Sequence, residues 1–429
     1  MLEQRHRFGS ELRRLRLAGG VTLDRLAGLV HYSKGQLSKV ERGLKPPNPE
    51  LARLCDAALG AGGELAALVP LRPSEADTTE EIHGDEEVWL MHLSADGPSW
   101  FQPMDRRQVM AAGAASMMRL GLGPSPVPSG AEGTSLLEVS RSLFDQYRRL
   151  GQTVGPSFVL PSLIAQTHTL RELSRGAGNH TRQGLLRLAS RYAEYIGWLM
   201  QESGDEQAAL WWTRRAVALA AAGGDEDLAA YALVRRALIT LYRQDAAQTV
   251  GLAQQAQGGA LPPRIHGLAA QREAQGHALD GDYDACMRSL DRARTLLARH
   301  TPDSDAPVIG TTHLTDPVAM VTGWCLLDLG RPREAAETID RQMAQVPPEA
   351  LRTQARYGMR RALAHAVAGD IDHACELAQE LLGTAVTVAS ATITADLRRL
   401  AHTLARHPKN PSVRALTPRL TAALRPDAL

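Results

Sequence analysis

Val21-Thr22-Leu23-Asp24-Arg25-Leu26-Ala27, followed by Ser33-Lys34-Gly35-Gln36-Leu37-Ser38-Lys39-Val40-Glu41-Arg42-Gly43, is the stretch whose reading decides the fold. Leu23, Leu26, Ala27 and Val30 recur at helical spacing, as do Leu37 and Val40. Thr22 has the chemistry of an N-cap, and Asp24 in the first turn faces the positive end of the helix dipole. Ser33 caps the second segment, with Gln36 three residues on completing a capping-box pattern. Gly43 closes that segment. Two short helices joined by a tight turn form a helix-turn-helix, and its second member fits a major groove of duplex DNA.

Outward from this pair, Phe8, Leu12 and Leu15 define an earlier helix, with Arg13, Arg14 and Arg16 on its other faces. Gly19-Gly20 end it. Pro46, Pro47 and Pro49 break the chain before a fourth helix carrying Leu51, Leu54 and Ala58. Leu65 and Leu68 mark a fifth. This five-helix pattern resembles the lambda-repressor-like, or XRE, family of helix-turn-helix regulators over residues 8–69. The most specific parts are Thr22-x-x-x-Leu26-Ala27 and Leu37-Ser38-x-x-Glu41-x-Gly43.

The resemblance implies roles at the matching positions. Ser33, Lys34, Gly35 and Lys39 fall where the family touches base edges or phosphates. Gln36 sits at the same exposed end and either caps the helix or contacts a base. Arg42 and Lys45 are placed for phosphate contact. Arg16 and Glu41 match a partly buried ion pair that ties the first helix to the third, where a solvated surface charge is the alternative. Two positions depart from the family pattern. His31 replaces a turn glycine, and Leu23 replaces a glutamine near a phosphate.

Charge distribution supports a head that meets phosphates. Residues 1–70 carry 11 Lys/Arg against 7 Asp/Glu, whereas residues 71–105 carry one Arg against 9 acids. Residues 71–105 therefore read as an acidic linker. At 429 residues the chain is long enough for more than one domain. Aromatics are only 4% of it, which favours helices over sheets. Cys55, Cys286, Cys325 and Cys375 show no paired spacing, so neither a metal site nor a disulfide framework is expected. No run is long and apolar enough for a membrane span, and a cytoplasmic protein is expected.

From residue 106 to 429 the pattern is helical and repetitive. Gly204-Asp205, Gly281-Asp282, Gly330-Arg331 and Gly369-Asp370 each precede an alanine-bearing helix, and another helix begins near Asp245. The intervals between these starts, about 37 to 49 residues, are those of stacked helix hairpins. This resembles a degenerate tetratricopeptide array. The expected fold is therefore all-α: a five-helix head (1–70), the linker and an α-solenoid (106–429), with loops over 121–135 and 300–312.

Such an array offers a groove for an effector and ends for self-association. Groove candidates on the first helices of the pairs are Arg191, Tyr195, Trp198, Arg235, Tyr242, Arg356, Tyr357 and Arg360. The alternative for each is core packing for an aromatic or solvation for an arginine. XRE heads joined to tetratricopeptide domains look like peptide-responsive regulators. However, the chain holds only Asn48, Asn179 and Asn410, at most one of which could serve as the asparagine clamp such receptors often use, so a peptide, a different effector such as a small molecule, or no effector all stay open. Neither a nucleotide-binding glycine loop nor a zinc-hydrolase or serine-hydrolase motif is present, and neither cofactor nor enzyme is expected. The expected partners are a double-stranded DNA operator and a second copy of the chain, since one head buries little surface for specific affinity. An interaction scaffold whose head does not act on DNA is the alternative.

Overall fold

The computed structural model describes residues 2–30, 34–45, 47, 51–52, 55, 58–59, 61, 64–68, 88–92, 100–104, 131–300 and 307–425. Contacts divide the chain into two units, Met1–Ala115 and Ser116–Leu429. Ser33, His31, Leu54, Pro46 and Pro49 lie outside the described residues.

In the first unit, α1 spans Leu2–Ala18, α2 Leu23–Val30, α3 Lys34–Glu41 and α4 Glu64–Ala67. The Thr22 hydroxyl accepts from the Arg25 amide at 3.2 Å and so starts α2. Residues 51, 52, 55, 58 and 59 are helical, at the place of the expected fourth helix. Phe8, Leu12, Leu26, Val30, Leu37 and Val40 are buried together, joined by Leu51, Ala52, Cys55 and Leu65. The apolar positions of all these helices thus converge on one small core.

Within the expected linker, β1 (Val88–His92) and β2 (Trp100–Met104) form an antiparallel ribbon, with Val88 opposite Met104 and His92 opposite Trp100. Val88, Trp89, Trp100 and Phe101 are strand-favouring residues in short runs, outweighed in the sequence reading by the acids around them. This part of 71–105 is a correction to a plain linker.

In the second unit the helices are α5 (Ala131–Thr153), α6 (Pro156–Gly176), α7 (Asn179–Glu202), α8 (Glu206–Ala222), α9 (Asp227–Tyr242), α10 (Ala246–Gln255) and α11 (Pro263–Asp280). They continue with α12 (Tyr283–Ala298), α13 (Pro317–Asp328), α14 (Pro332–Met343), α15 (Leu351–Ala368), α16 (Ile371–Val388), α17 (Ala391–Leu404) and α18 (Pro411–Ala423). Residues 131–135 open α5 rather than lying in a loop, and the helix goes on to bury Leu137 and Phe144 at helical spacing. Residues 121–130 lie outside the described residues.

Sequential helices pack in pairs: α7 with α8, α9 with α10, α11 with α12, α13 with α14, and α15 with α16. The second helices begin at Glu206, Ala246, Tyr283, Pro332 and Ile371. Asp205, Asp245 and Asp282 cap the first three, each accepting an amide three residues ahead at 2.8–3.0 Å. Gly281 and Gly369 end the preceding helices in the left-handed region at φ +83° and +100°, which only glycine adopts freely. One inner stripe, Leu185, Leu188, Ala189, Tyr192 and Ile196, is buried, as are Ala209, Trp212, Ala216 and Leu219 facing it.

The array also closes on itself. α5 packs against α15 and α16, and α7 packs against α17. Arg352 on α15 donates to the carbonyls of Gly151, Val154 and Val388 at 2.7–2.9 Å and pairs with Glu202 at 3.3 Å. Thr353 donates to Gln152 at 2.8 Å. The contacts with Gly151, Gln152 and Val154 join segments roughly two hundred residues apart and add a wall to the groove.

Candidate functional site

Of the residues expected to meet DNA, the described ones lie on or just after α3. Lys34, Gly35, Gln36, Lys39, Arg42 and Lys45 are all exposed, while Leu37 and Val40 of the same helix are buried. One face of α3 is thus spent on the core and the other is left cationic. The Lys34 ammonium lies 2.6 Å from Asp24, a pair exposed on both sides and therefore weak enough to exchange for phosphate. The Arg42 Nε donates to the Ser38 carbonyl at 3.3 Å.

Behind this face Arg16 and Glu41 meet in a two-pronged pair at 2.6 and 3.1 Å, and the same guanidinium donates to the Val21 carbonyl at 3.0 Å. Both side chains are nearly buried. The Glu41 hydrogen bond raises the Arg16 pKa above its ordinary value. One arginine therefore ties α1 to the turn before α2 and to the end of α3, which sets the angle at which α3 is presented.

A model of a helix-turn-helix domain matches residues 7–69. The head is a helix-turn-helix domain, a DNA-binding fold. No curated protein matches the chain. The matched segment ends where the acidic stretch begins, so the second unit has to be read from its own geometry.

That unit encloses a cavity of ≈ 150 Å³ walled by α5, α7, α9, α11, α13, α15 and the segment 308–317. Among the expected groove residues, Arg191, Tyr195, Trp198, Arg235, Arg356 and Tyr357 line it. Tyr242 and Arg360 stand behind the wall. Arg360 is held by Asp396 at 2.7 Å and lies 3.3 Å above the Trp324 ring, and Tyr242 accepts from Arg356 at 2.7 Å. Burial pushes the Tyr242 hydroxyl up to about 12.

Sequence reasoning missed Arg148, Gln271, Arg272, Gln275 and Trp324, which also line the cavity. α11 carries its polar residues among alanines and lacks an aromatic marker, so it drew no notice. The legible signal was Gln271 and Gln275, amides one turn apart beside Ala270, Ala274 and Gly276.

The electrostatics are one-sided. Six guanidinium groups line the cavity: Arg148, Arg191, Arg235, Arg272, Arg352 and Arg356. The carboxylates that reach them among the described residues are Glu194, Asp225 and Glu202. Glu202 serves two arginines at once. Burial alone would raise its pKa, but Arg356 and Arg352, with hydrogen bonds from Ser390 and Thr392, hold it below the ordinary value. Arg272 meets no carboxylate among the described residues. It donates to Gln275, its Nε has no protein partner, and burial together with nearby Arg356 and Arg235 lowers its pKa despite opposing effects of Tyr357 and Tyr231. The Gln271 and Gln275 amide nitrogens and two nitrogens of Arg191 also lack a protein partner.

A strap crosses beside the cavity. Arg148 donates to the carbonyls of Val308 and Gly310 at 2.9 and 2.6 Å, and Arg264 to those of Ile309 and Thr311 at 2.6 and 3.1 Å. A wider hollow of ≈ 370 Å³ shares Arg148, Val308 and His313 with the cavity and adds Arg141, Arg149 and Asp145.

Proposed function

We propose that the chain is a dimeric, sequence-specific transcriptional regulator of the XRE type, a binding protein and not an enzyme. Its tetratricopeptide-like α-solenoid dimerises and senses an effector. The observation that carries this reading is the exposed cationic face of α3 (Lys34, Lys39) and of the turn after it (Arg42, Lys45), clear of the core, on a matched helix-turn-helix domain. A homodimer supplies two such helices, which have to lie about 34 Å apart to enter successive major grooves. An effector bound in the helical unit acts by favouring the arrangement with that spacing or one without it.

The test is a titration of the full chain with genomic DNA fragments that it retains, at several salt concentrations. Lys34→Ala with Lys39→Ala should abolish retention while leaving circular dichroism and melting unchanged, because both side chains are exposed. The native chain should lose affinity steeply as salt rises, since each phosphate it neutralises releases counterions. Full retention by the double variant rejects the assignment of α3. Salt-independent retention rejects phosphate recognition and favours a scaffold.

A further inference from the structure

We infer that the cavity of the helical unit is a receptor site for a small planar anion, an aromatic carboxylate or an aryl phosphate. The charge of that ligand supplies the carboxylate-like partner that Arg272 does not have. The proposal rests on the reading of the helical unit as a sensor and gives that sensor's ligand a chemical class.

Three independent observations converge on it. The first is charge. A buried guanidinium without a counter-ion is costly, and proteins keep buried charges paired. No carboxylate among the described residues reaches Arg272, which is half-buried with its Nε sealed from solvent and without a protein acceptor; Arg148 also meets no carboxylate but spends its guanidinium on two backbone carbonyls. Arg272 lies within reach of the fields of Arg356 and Arg235, both cavity-lining and both of its own sign.

The second observation is unspent hydrogen-bonding capacity. Gln271 and Gln275 are 2% and 1% exposed, yet their amide nitrogens have no protein acceptor. Arg191 is 8% exposed, and two of its nitrogens are likewise unpartnered although the third binds Asp225 at 2.9 Å. The side chains of all of these line the same hollow. Every one of these unspent groups is a donor. A site with donors to spare and few acceptors is complementary to an anion.

The third observation is shape and wall chemistry. Tyr195 and Trp198 stack at 5.5 Å between centroids, and Trp324 and Tyr357 meet edge-on at 6.5 Å. All four line the cavity. Such walls bind a ring through offset or edge contacts. The space measures ≈ 150 Å³. An extended six-residue peptide needs roughly 20 Å of open groove, so a single small molecule is the occupant that fits. The neighbouring hollow, with Arg141, Arg148 and Arg149 against Asp145, gives an approach of the same sign.

The experiment uses the full chain without DNA. Its probes are benzoate, salicylate, indole-3-acetate and phenyl phosphate, each beside its neutral counterpart (benzamide, salicylamide, indole-3-acetamide, phenol), with inorganic phosphate alone as the ringless anion. Melting temperature and tryptophan fluorescence are read, the latter because Trp198 and Trp324 line the site. At least one ring-bearing anion should raise the melting temperature and quench saturably, at least about tenfold tighter than its neutral counterpart and than phosphate. Carboxylate and phosphate arms then tell the two head groups apart. Arg272→Met should weaken that ligand by about tenfold or more. Without ligand the same variant should melt no lower than the native chain, because it loses a half-buried charge that no carboxylate reaches.

A structural role for Arg272 predicts the reverse, a lower melting point and unchanged affinity. Should Arg272→Met not fold, Gln271→Met reads the same loss of affinity with less perturbation. The inference is overturned if none of the anions binds, if a neutral counterpart or bare phosphate binds as tightly, or if the substitutions leave affinity unchanged. DNA retention is measured separately. A cavity that takes no anion leaves the DNA-binding reading standing, and a chain that binds the anion but no DNA removes only the regulator reading.

Discussion

At Gly9, α1 crosses α3 with no room for a side chain: a methyl group there would lie 2.5 and 2.6 Å from the carbonyl oxygens of Val40 and Glu41. Those obstacles are backbone, which cannot swing aside. Gly9→Ala should therefore destabilise the head, toward the upper end of the about 1–3 kcal/mol typical of overpacking. That exceeds the roughly 1 kcal/mol gained in helix propensity. Loss of DNA retention, and faster proteolysis within residues 1–70 at unchanged cleavage elsewhere, would show it. Equal stability of the variant would mean that α1 and α3 do not cross as described. The Arg16–Glu41 pair was legible in the sequence through its family positions, whereas the need for glycine at position 9 was not. Burial of Phe8 and Leu12 follows from helical periodicity, but a close crossing depends on the distance between two helices, and no local pattern encodes that distance.

Among elements, the second helices of the pairs were the most legible, because their starts depend on chemistry within four residues. An aspartate placed just before an alanine-bearing helix satisfies an otherwise unpaired amide, wherever the helix later packs. Asp282→Ala should cost about 1 kcal/mol, the usual value for a lost N-cap. Its partner, the Ala285 amide at 2.9 Å, is only partly shielded from water. Urea denaturation followed by helical ellipticity checks this, and no change in midpoint would discount the cap. The β1–β2 ribbon was the least legible element. Its strands are five residues long and lie among acids, and net charge says nothing about pairing between two short segments.

For the whole molecule, Glu202 is the clearest case of long-range dependence. It joins Arg352 and Arg356 on α15 to Ser390 and Thr392 at the start of α17, partners 150 to 190 residues away. Its pKa is lowered on folding from an ordinary 4.5. A carboxyl lowered in this way contributes its full stabilisation above the unfolded value and loses it as pH falls through the folded one. Stability should therefore decline on acidification below 4.5. Glu202→Gln should be less stable at neutral pH and decline less steeply toward about pH 3. Denaturation midpoints across that range measure both effects, and parallel pH profiles for the two proteins would exclude the Glu202 network as the cause.

The sequence by itself determined the helix-turn-helix head, its exposed cationic helix and the hairpin rhythm of the second unit, because caps, glycine turns and apolar spacing act over a few residues. Tertiary structure alone decided that the array closes, that Arg148 and Arg272 come to face Arg191 and Arg356, and that Tyr242 and Arg360 fall behind the wall. Those outcomes depend on the summed curvature of the successive helices from α5 to α15. Each pair contributes a small angle that its own residues do not announce, and only their accumulation brings α15 back onto α5.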